Sequence, residues 1–403
     1  MGETRPEEIS RACVLTLMML TIALTTVLSA CLTHEAQGTA SGEGTPLEQR
    51  KVPDDIMPAP SPAASPKATK SGPKATAYKD EYVDTQILSP KRWVFADYNS
   101  IWRTVDGGRT FERSYVSQFP ELPHRFGGLS FSDPMHGFVI EQGPGWYLGA
   151  SSSRTSSISS TTGKLIRTTD GGSSWNIVGP ISSGNERSFF WHCYFVNPLH
   201  GWAVGANNSV PSKGIILSTR DGGKSWVRQT LPRQPADLRW SLHGVLFLDD
   251  NIGWTCGPMF MFWTVNGGRT WNQAHAENWD YTDLGFYRPG VVWASEWEGT
   301  GFAISRDCGR RFKVFDGPRS SFYGHASIVF FGARGIIAND NLYVTSDGGQ
   351  NWSVKDLGPD AHDVFWFKAA RAMDGSLVAI GSRESVVVAF NSRDGGSTWT
   401  KIH

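Results

Sequence analysis

Aromatic residues are missing from the first 77 positions of this 403-residue chain. All 17 Trp, 10 Tyr and 22 Phe lie at or after Tyr78. Aromatic side chains bury large areas and dominate the energetics of a core, so no core can form upstream of about residue 80. The region downstream is rich in Gly, Val, Thr and aromatic residues, which is typical of short strands separated by turns.

The sequence also lacks an excess of either charge and any Cys-x-x-Cys spacing. Lys and Arg together number 38, as do Asp and Glu, so no strong field exists to attract a nucleic acid. We predict no nucleic-acid partner, no metal and no cofactor. If Cys13 lies in a leader and Cys31 is modified, Cys193, Cys256 and Cys308 remain, and we expect them to be small buried residues.

The N-terminal region has the pattern of a secretory leader. Residues Ala12–Leu28 form an uncharged run that is followed by Ser29-Ala30-Cys31. A short apolar run ending in small residues is typical of a signal peptide, and Leu28-Ser29-Ala30-Cys31 resembles the lipobox of bacterial lipoproteins. That resemblance implies a signal peptide over residues 1–30, lipidation of Cys31 and a lipid-anchored protein of the cell envelope. The periplasmic face of the outer membrane is favoured in a Gram-negative cell, because Leu32 follows the cysteine. An uncleaved membrane anchor is the alternative.

Residues 31–80 differ sharply in composition from the flanking regions. They are rich in Pro, Ala, Ser and Lys, as in residues Pro58–Pro66. Such a segment cannot bury apolar area, and each proline lacks a backbone donor. The composition predicts a disordered tether that joins the anchor to a folded domain over residues 81–403.

An eight-residue pattern, Ser/Thr-x-Asp-x-Gly-x-x-Trp/Phe, recurs seven times in that domain. Its Asp can accept backbone N–H bonds from the residues that follow, which makes an Asx-type turn. Its Gly supplies the positive φ of a tight hairpin, and its last residue begins the next strand. Asn replaces Asp in the fourth copy. The third-position residues are Asp106, Asp170, Asp221, Asn266, Asp307, Asp347 and Asp394.

A second element, Gly-Trp/Phe-x-x-Gly, precedes most copies, as in Gly201–Gly205 and Gly253–Gly257. An aromatic-rich stretch precedes it in turn, so each unit contains four short strands within about 40–50 residues. Seven units predict an all-β fold, a seven-bladed β-propeller with four-stranded blades. The closure of the ring stays open, because residues Tyr82–Leu88 either complete the seventh blade or begin the first.

The octapeptide resembles the Asp-box, or BNR repeat, of sialidases and related propellers. With seven copies and a lipoprotein leader, the chain resembles the photosystem II stability and assembly factor family and its relatives in non-photosynthetic bacteria. The resemblance covers residues 82–403 and implies a non-catalytic protein that binds a protein or peptide partner as a scaffold or assembly factor for a membrane complex. We interpret the seven turn residues as structural and predict no catalytic residue.

A sialidase is the enzymatic alternative. By resemblance, that family needs arginines that clamp a carboxylate, an acid/base pair and an Arg-Ile-Pro signature. No Arg-Ile-Pro occurs in this sequence. A glycan-binding propeller remains a further alternative, with Trp293 and Trp297 as a sugar platform, and so does an interaction module without a defined pocket.

The loops that lead into the innermost strands are the expected ligand-bearing face of a propeller. In this chain the stretches before the first-strand aromatic residues are polar and carry several His and Arg. We therefore predict a ligand rim on this face. Its members are Arg125, Arg187, His192, Arg239, His243, Asp283, His325 and His362.

Overall fold

A computed structural model describes the chain over residues 84–402. Residues 98, 119–125, 143–162, 183–187, 208–211, 235–239, 278–279, 289, 297–298, 321–325 and 384–385 within this range are not described. The predicted signal peptide, the predicted lipidation site Cys31 and the predicted tether lie outside the described residues. In the described part of the chain, no helix is long and apolar enough to cross a bilayer.

The described residues form 28 strands, numbered here in chain order, and one short 3₁₀ helix over Pro359–Ala361. Blades 1 to 3 comprise β1 (Asp84–Ser89), β2 (Arg92–Ala96), β3 (Ser100–Thr104) and β4 (Glu112–Val116); β5 (Phe126–Phe131), β6 (Gly137–Glu141), β7 (Lys164–Thr168) and β8 (Asn176–Pro180); and β9 (Ser188–Phe195), β10 (Gly201–Asn207), β11 (Gly214–Thr219) and β12 (Val227–Arg228). Blades 4 and 5 comprise β13 (Gly244–Phe247), β14 (Gly253–Gly257), β15 (Phe260–Thr264) and β16 (Asn272–Gln273); and β17 (Tyr281–Arg288), β18 (Val291–Glu296), β19 (Phe302–Ser305) and β20 (Lys313–Phe315). Blades 6 and 7 comprise β21 (Ser327–Phe331), β22 (Arg334–Ala338), β23 (Leu342–Thr345) and β24 (Ser353–Val354); and β25 (Phe365–Arg371), β26 (Leu377–Arg383), β27 (Val386–Ser392) and β28 (Thr400–Lys401).

These strands build seven four-stranded sheets, and in each sheet the strands pair in chain order. The first strand of each sheet contacts the first strand of the next, and β25 contacts β1. The sheets therefore form a closed ring with the first strands innermost. The prediction of a seven-bladed β-propeller with four-stranded blades is confirmed.

The ring closes without exchanging a strand between the first and last blades. Strand β1 is the innermost strand of blade 1 and pairs with β2. Ile87 and Trp93 of blade 1 share an apolar cluster with Val378 and Ile380 of blade 7, and Ile402 packs against this cluster. Buried apolar area thus holds the two ends of the domain together, and the question left open by the sequence is answered in favour of the first blade.

The Gly-Trp element explains how neighbouring blades pack. A Cβ at Gly201 would lie 2.4 Å from the ring of Phe195, so only glycine lets the first-strand aromatic residue fold across the second strand. The following Trp202 stacks on Phe247 of the next blade, with ring centroids 3.4 Å apart. Phe195 stacks in the same way on Phe138 of the preceding blade, at 3.7 Å. Each such pair contributes about 0.5–1.5 kcal/mol beyond the area that it buries.

The last glycine of this element permits a close backbone approach. A Cβ at Gly205 would lie 1.9 Å from the carbonyl oxygen of Phe189, and one at Gly257 would lie 2.1 Å from that of Ser241. The chain that enters the first strand can therefore lie close against the second strand at this glycine.

Candidate functional site

The seven Asp-box turns share one hydrogen-bond pattern. The hydroxyl at the first position donates to the Asp or Asn at 2.7–3.0 Å. The same hydroxyl oxygen accepts the N–H of the fifth-position Gly at 2.8–3.1 Å. The Asp or Asn side chain accepts the backbone N–H of the seventh-position residue at 2.9–3.0 Å. Each turn is thus satisfied within its own eight residues.

The fourth position of the octapeptide carries a signal that the sequence pattern missed. Six copies have Gly there, and both glycines of these copies have positive φ, as in Gly107 at 77° and Gly108 at 92°. In the fifth copy Cys308 takes this position with φ of 64°. Cys193 and Cys256 are buried free thiols, but Cys308 is only half-buried. The expectation that all three cysteines are buried was wrong for Cys308, because the turn places it at the surface.

The closing aromatic residue packs against the first-strand aromatic residue of its own blade. Trp175 meets Phe131 edge to face with ring centroids 6.0 Å apart. Trp271 meets Phe247 in the same way at 5.9 Å. The turn is thereby joined to the packing between blades.

The turns are also bound by donors from the preceding blade. Arg334 of blade 6 donates to the carbonyl of Gly395 at 3.3 Å and to the hydroxyl of Ser397 at 3.1 Å in blade 7. Comparable contacts join Arg103 to Ser173, Gln229 to the Gly267 carbonyl and Trp254 to the Cys308 carbonyl. The Asp-box face is therefore held together by polar contacts between blades.

Five turn carboxylates have a lowered pKa, and they lie on separate blades. Hydrogen bonds from the backbone and side chain of Asn351 lower the pKa of Asp347 to about 2. Burial raises the pKa of Asp170, but hydrogen bonds from Ser174 and Thr168 outweigh it, so that the pKa lies below its ordinary value. Each residue lies between the third and fourth strands of its own blade. General acid–base chemistry needs groups that reach one substrate atom, which this arrangement does not provide.

The predicted ligand rim is only partly covered by the structure. Its members Arg125, Arg187, Arg239 and His325 lie outside the described residues. His192, His243, Asp283 and His362 are described and all lie at or just before the first strands of their blades. Because all first strands run in the same direction around the ring, these four residues lie on one face, which we call the entrance face.

The entrance face carries an aromatic and histidine cluster on blades 3 and 4. The rings of Trp191 and His243 are 5.3 Å apart, and Phe189 meets Trp191 edge to face at 5.7 Å. Ser241 Oγ lies 2.7 Å from His243 Nε2. Nδ1 of His192 is enclosed and has no hydrogen bond to the described residues. The structure thus brings His243 together with aromatic residues from the neighbouring blade.

Asp283 and His362 lie away from this cluster. Asp283 is exposed on blade 5, and its carboxylate accepts the N–H of Leu284 at 2.8 Å. His362 belongs to a second group, in the linker between blades 6 and 7. The described rim residues therefore form separate groups around the face.

His362 lines a cleft of about 640 Å³ between blades 6 and 7, a volume typical of ligand sites. The floor of the cleft is apolar and consists of Leu342, Val364 and Trp366, which are 1%, 5% and 4% exposed. These three side chains belong to the main apolar cluster of the described residues. The floor of the cleft is therefore part of the packed core.

The rim of this cleft is charged. Asp340, Asp356 and Asp363 contribute carboxylates to its lining. His362 Nε2 lies 3.9 Å from Asp356 Oδ1, and both side chains are well exposed. Asp340 accepts a hydrogen bond from Tyr343 Oη at 2.8 Å. The structure therefore combines an apolar floor with an acidic rim.

The sequence prediction missed most of this cleft. Asp356, Asp360 and Asp363 are acidic, and Gly358-Pro359 lies among them, so this run is an acidic, turn-forming linker into the last blade. That composition was a usable signal. Asp340 and Leu342 carried none, because they belong to the preceding blade and reach the cleft only through the packing of the ring.

The predicted sugar platform can be compared with the structure in part. Trp293 is 6% exposed and its Nε1 donates to the Ile328 carbonyl of the next blade at 3.3 Å. It packs between blades and cannot serve as a sugar platform, and Trp297 is outside the described residues. Among the described residues, no group of three or more His, Cys, Asp or Glu is arranged to hold a metal ion.

Comparisons with known proteins agree with this geometry. The family described as "Photosynthesis system II assembly factor YCF48" matches residues 185–278, which include the strands of blades 3 and 4. The protein named "Photosystem II assembly lipoprotein Ycf48" from Synechococcus sp. (strain CC9902) is 22% identical over an alignment of 282 positions, which covers 57% of this chain and 75% of that protein.

The chain is also similar to two solved structures. The structure described as "YCF48 from Cyanidioschyzon merolae" is 16% identical with a TM-score of 0.50, over 76% of this chain and 93% of that one. The structure described as "YCF48 bound to D1 peptide" is 20% identical with a TM-score of 0.49, over 69% of this chain and 80% of that one. This chain is a BNR-type β-propeller related to the photosystem II assembly factor Ycf48.

Proposed function

We propose, starting from its relation to the Ycf48-type propellers, that this protein is a non-catalytic assembly factor. Its entrance face binds a protein or peptide of a membrane complex, while a lipid on Cys31 holds it at the cell envelope. The cleft of about 640 Å³ between blades 6 and 7 is the observation that carries the proposal. Pockets that combine apolar walls with a few polar groups are the usual form of a binding site.

The chemistry of the entrance face supports binding rather than catalysis. The cluster of Phe189, Trp191 and His243 offers aromatic and hydrogen-bonding surface. Aromatic anchors of this kind supply much of the energy in protein interfaces. The turn carboxylates, in contrast, are engaged by hydrogen bonds within their own turns.

The relation to an assembly lipoprotein supports the anchor and the role in assembly. The lipobox-like Leu28-Ser29-Ala30-Cys31 supports lipidation independently of that relative. A Cys31→Ser variant is expected to leave the membrane fraction.

A pull-down from detergent-solubilised membranes of the source organism tests the function. The tagged full chain is expected to retain a stoichiometric membrane-complex subunit, and the triple variant Arg125→Ala/Arg239→Ala/His243→Ala is expected to lose most of it. A control variant on the opposite face, Arg109→Ala/Lys224→Ala, removes two exposed cations from Asp-box turns. Both variants should unfold at the wild-type denaturant concentration.

Equal capture by the rim variant and the wild type would show that the rim does not bind the partner. Hydrolysis of chromogenic glycosides or sialosides by the purified chain would contradict the non-catalytic assignment. A blank screen together with capture of one partner is the expected result.

A further inference from the structure

The cleft between blades 6 and 7 has a marked charge bias. Asp340, Asp356 and Asp363 line it, whereas the basic side chains at its lining are Lys355 and His362. The Lys355 ammonium is turned toward the Ser397 carbonyl of blade 7, at 3.4 Å. The cleft therefore presents carboxylates above an apolar floor.

Asp363 is the carboxylate best placed to meet a ligand. It is exposed, and no hydrogen bond or ion pair within the described part of the chain engages its side chain. Its φ is 57°, a left-handed conformation that is uncommon outside glycine. Strained residues of this kind cluster at ligand sites, where the surrounding structure holds them in place.

The neighbouring acidic group shows the contrast. Asp360 lies outside the cleft lining, and its carboxylate is paired with Lys401 at 3.1 Å. The chain thus pairs an adjacent carboxylate on the same linker with a cation, whereas no ion pair within the described residues engages Asp363. The nearby Arg383 guanidinium donates instead to the His362 carbonyl, at 3.5 Å. A cation of the ligand would pair with the carboxylate of Asp363.

We infer that this cleft binds an extended segment of the partner in which a Lys or Arg lies between apolar side chains. The basic group pairs with Asp356 and Asp363, and the apolar neighbours cover Leu342 and Trp366. This inference rests on the proposed function only in taking the ligand to be a protein partner. The cleft matches such a segment both in charge and in apolar surface. An acidic segment is excluded, because its charge would repel the carboxylates of the cleft.

The test uses the purified full chain and three fluorescein-labelled nonapeptides. One alternates Leu and Val with two Lys or Arg residues, the second carries Glu in place of the basic residues, and the third carries Gln. Fluorescence polarisation at low ionic strength is expected to give the tightest binding for the basic peptide. Binding should weaken as salt is added, because the pairs are exposed.

Two matched double variants locate the site. Asp356→Asn/Asp363→Asn removes two charges without changing shape, and Asn tolerates the left-handed conformation of Asp363. We expect this variant to bind the basic peptide about five- to tenfold more weakly. Glu277→Gln/Asp316→Asn removes two exposed carboxylates from other linkers of the entrance face and is expected to bind as the wild type does.

Equal weakening by both double variants would overturn the assignment to this cleft, since it would show a general effect of net charge. Equal binding of the basic and acidic peptides would overturn the proposed ligand chemistry. The chain's own Lys67, Lys70, Lys74 and Lys79 are another basic source. If their replacement by Gln tightens peptide binding several-fold, the tether occupies the cleft and the assignment to a partner is wrong.

The two proposals fail in different ways. Loss of peptide binding with intact pull-down of a membrane subunit would refute the cleft assignment but leave the assembly function standing. Peptide binding at the cleft without any captured subunit would contradict the assembly function alone. A denaturant titration of each variant confirms that it is folded.

Discussion

Replacement of Asp170 by Ala gives the sharpest test of the structural role assigned to the Asp-box turns. The carboxylate accepts the Thr168 hydroxyl at 2.7 Å, the Ser174 N–H at 3.0 Å and the Ser174 hydroxyl at 2.6 Å. Each hydrogen bond contributes about 0.5–1.5 kcal/mol net. Because Asp170 is only half-buried, the three bonds together contribute less than three times the upper value. We expect Asp170→Ala to lower the free energy of unfolding by about 2–3 kcal/mol.

Asp170→Asn is the matched control, because the fourth blade already uses Asn. There Asn266 Oδ1 accepts the Thr270 N–H at 2.9 Å and the Thr264 hydroxyl at 3.0 Å. An amide at position 170 therefore keeps two of the three acceptor contacts and loses mainly the charge. We expect it to cost about 1 kcal/mol or less.

The assay is guanidinium unfolding followed by Trp fluorescence and circular dichroism, with the free energy taken from the midpoint at an unchanged slope. An Asn variant as unstable as the Ala variant would refute the hydrogen-bond argument and point to the charge itself. An Ala variant within about 0.5 kcal/mol of the wild type would refute a structural role for this turn. Peptide binding at the distant cleft should be unchanged in both variants.

Three further outcomes follow from the same packing and hydrogen bonds. Gly128→Ala is expected to cost about 3 kcal/mol or more, because φ is 60° and the Cβ would lie 2.2 Å from the Cys193 nitrogen; Gly179→Ala, with nothing within 4 Å, should be close to neutral in the same denaturant titration. Asn266→Asp is expected to stabilise the fold by about 0.5–1 kcal/mol at neutral pH through charge-assisted bonds, and a destabilised variant would contradict this. The unfolding midpoint should fall as the pH drops from about 4 toward 2, because five of the six turn aspartates have lowered folded-state pKa values. The stability that they contribute is complete above the unfolded value of about 3.9 and is lost as the pH falls through the folded-state values. A midpoint independent of pH over that range would show that these carboxylates add nothing to stability.

The two faces of the ring differ in their contacts. On the Asp-box face, contacts such as Arg334 to Gly395 and Trp254 to Cys308 join neighbouring blades. On the entrance face, the linkers leave an open cleft and exposed groups such as His362 and Asp363. We therefore expect substitutions on the first face to change stability and those on the second to change binding.

The candidate site was predictable only in part. His243 and His362 could be found because each precedes a first-strand aromatic residue, and the entrance face follows from the direction of the first strands. Their surroundings were not predictable. His243 contacts Trp191 of the neighbouring blade. His362 lines a cleft whose other residues include Asp340 of blade 6. Both arrangements join residues from different blades.

The amino-acid sequence alone determined the number of blades and the form of each turn. The turn bonds join residues two to four positions apart, as from Thr168 to Asp170 and Gly172, so the octapeptide contains all the groups that it needs. The tertiary structure decided how the ring closes and where a cleft remains open. Ile402 packs against the cluster that contains Ile87, and Leu342 and Trp366 share a cluster, only after the ring has formed. Such contacts depend on which surfaces of adjacent blades fit together, and a repeating pattern of local hydrogen bonds does not encode that fit.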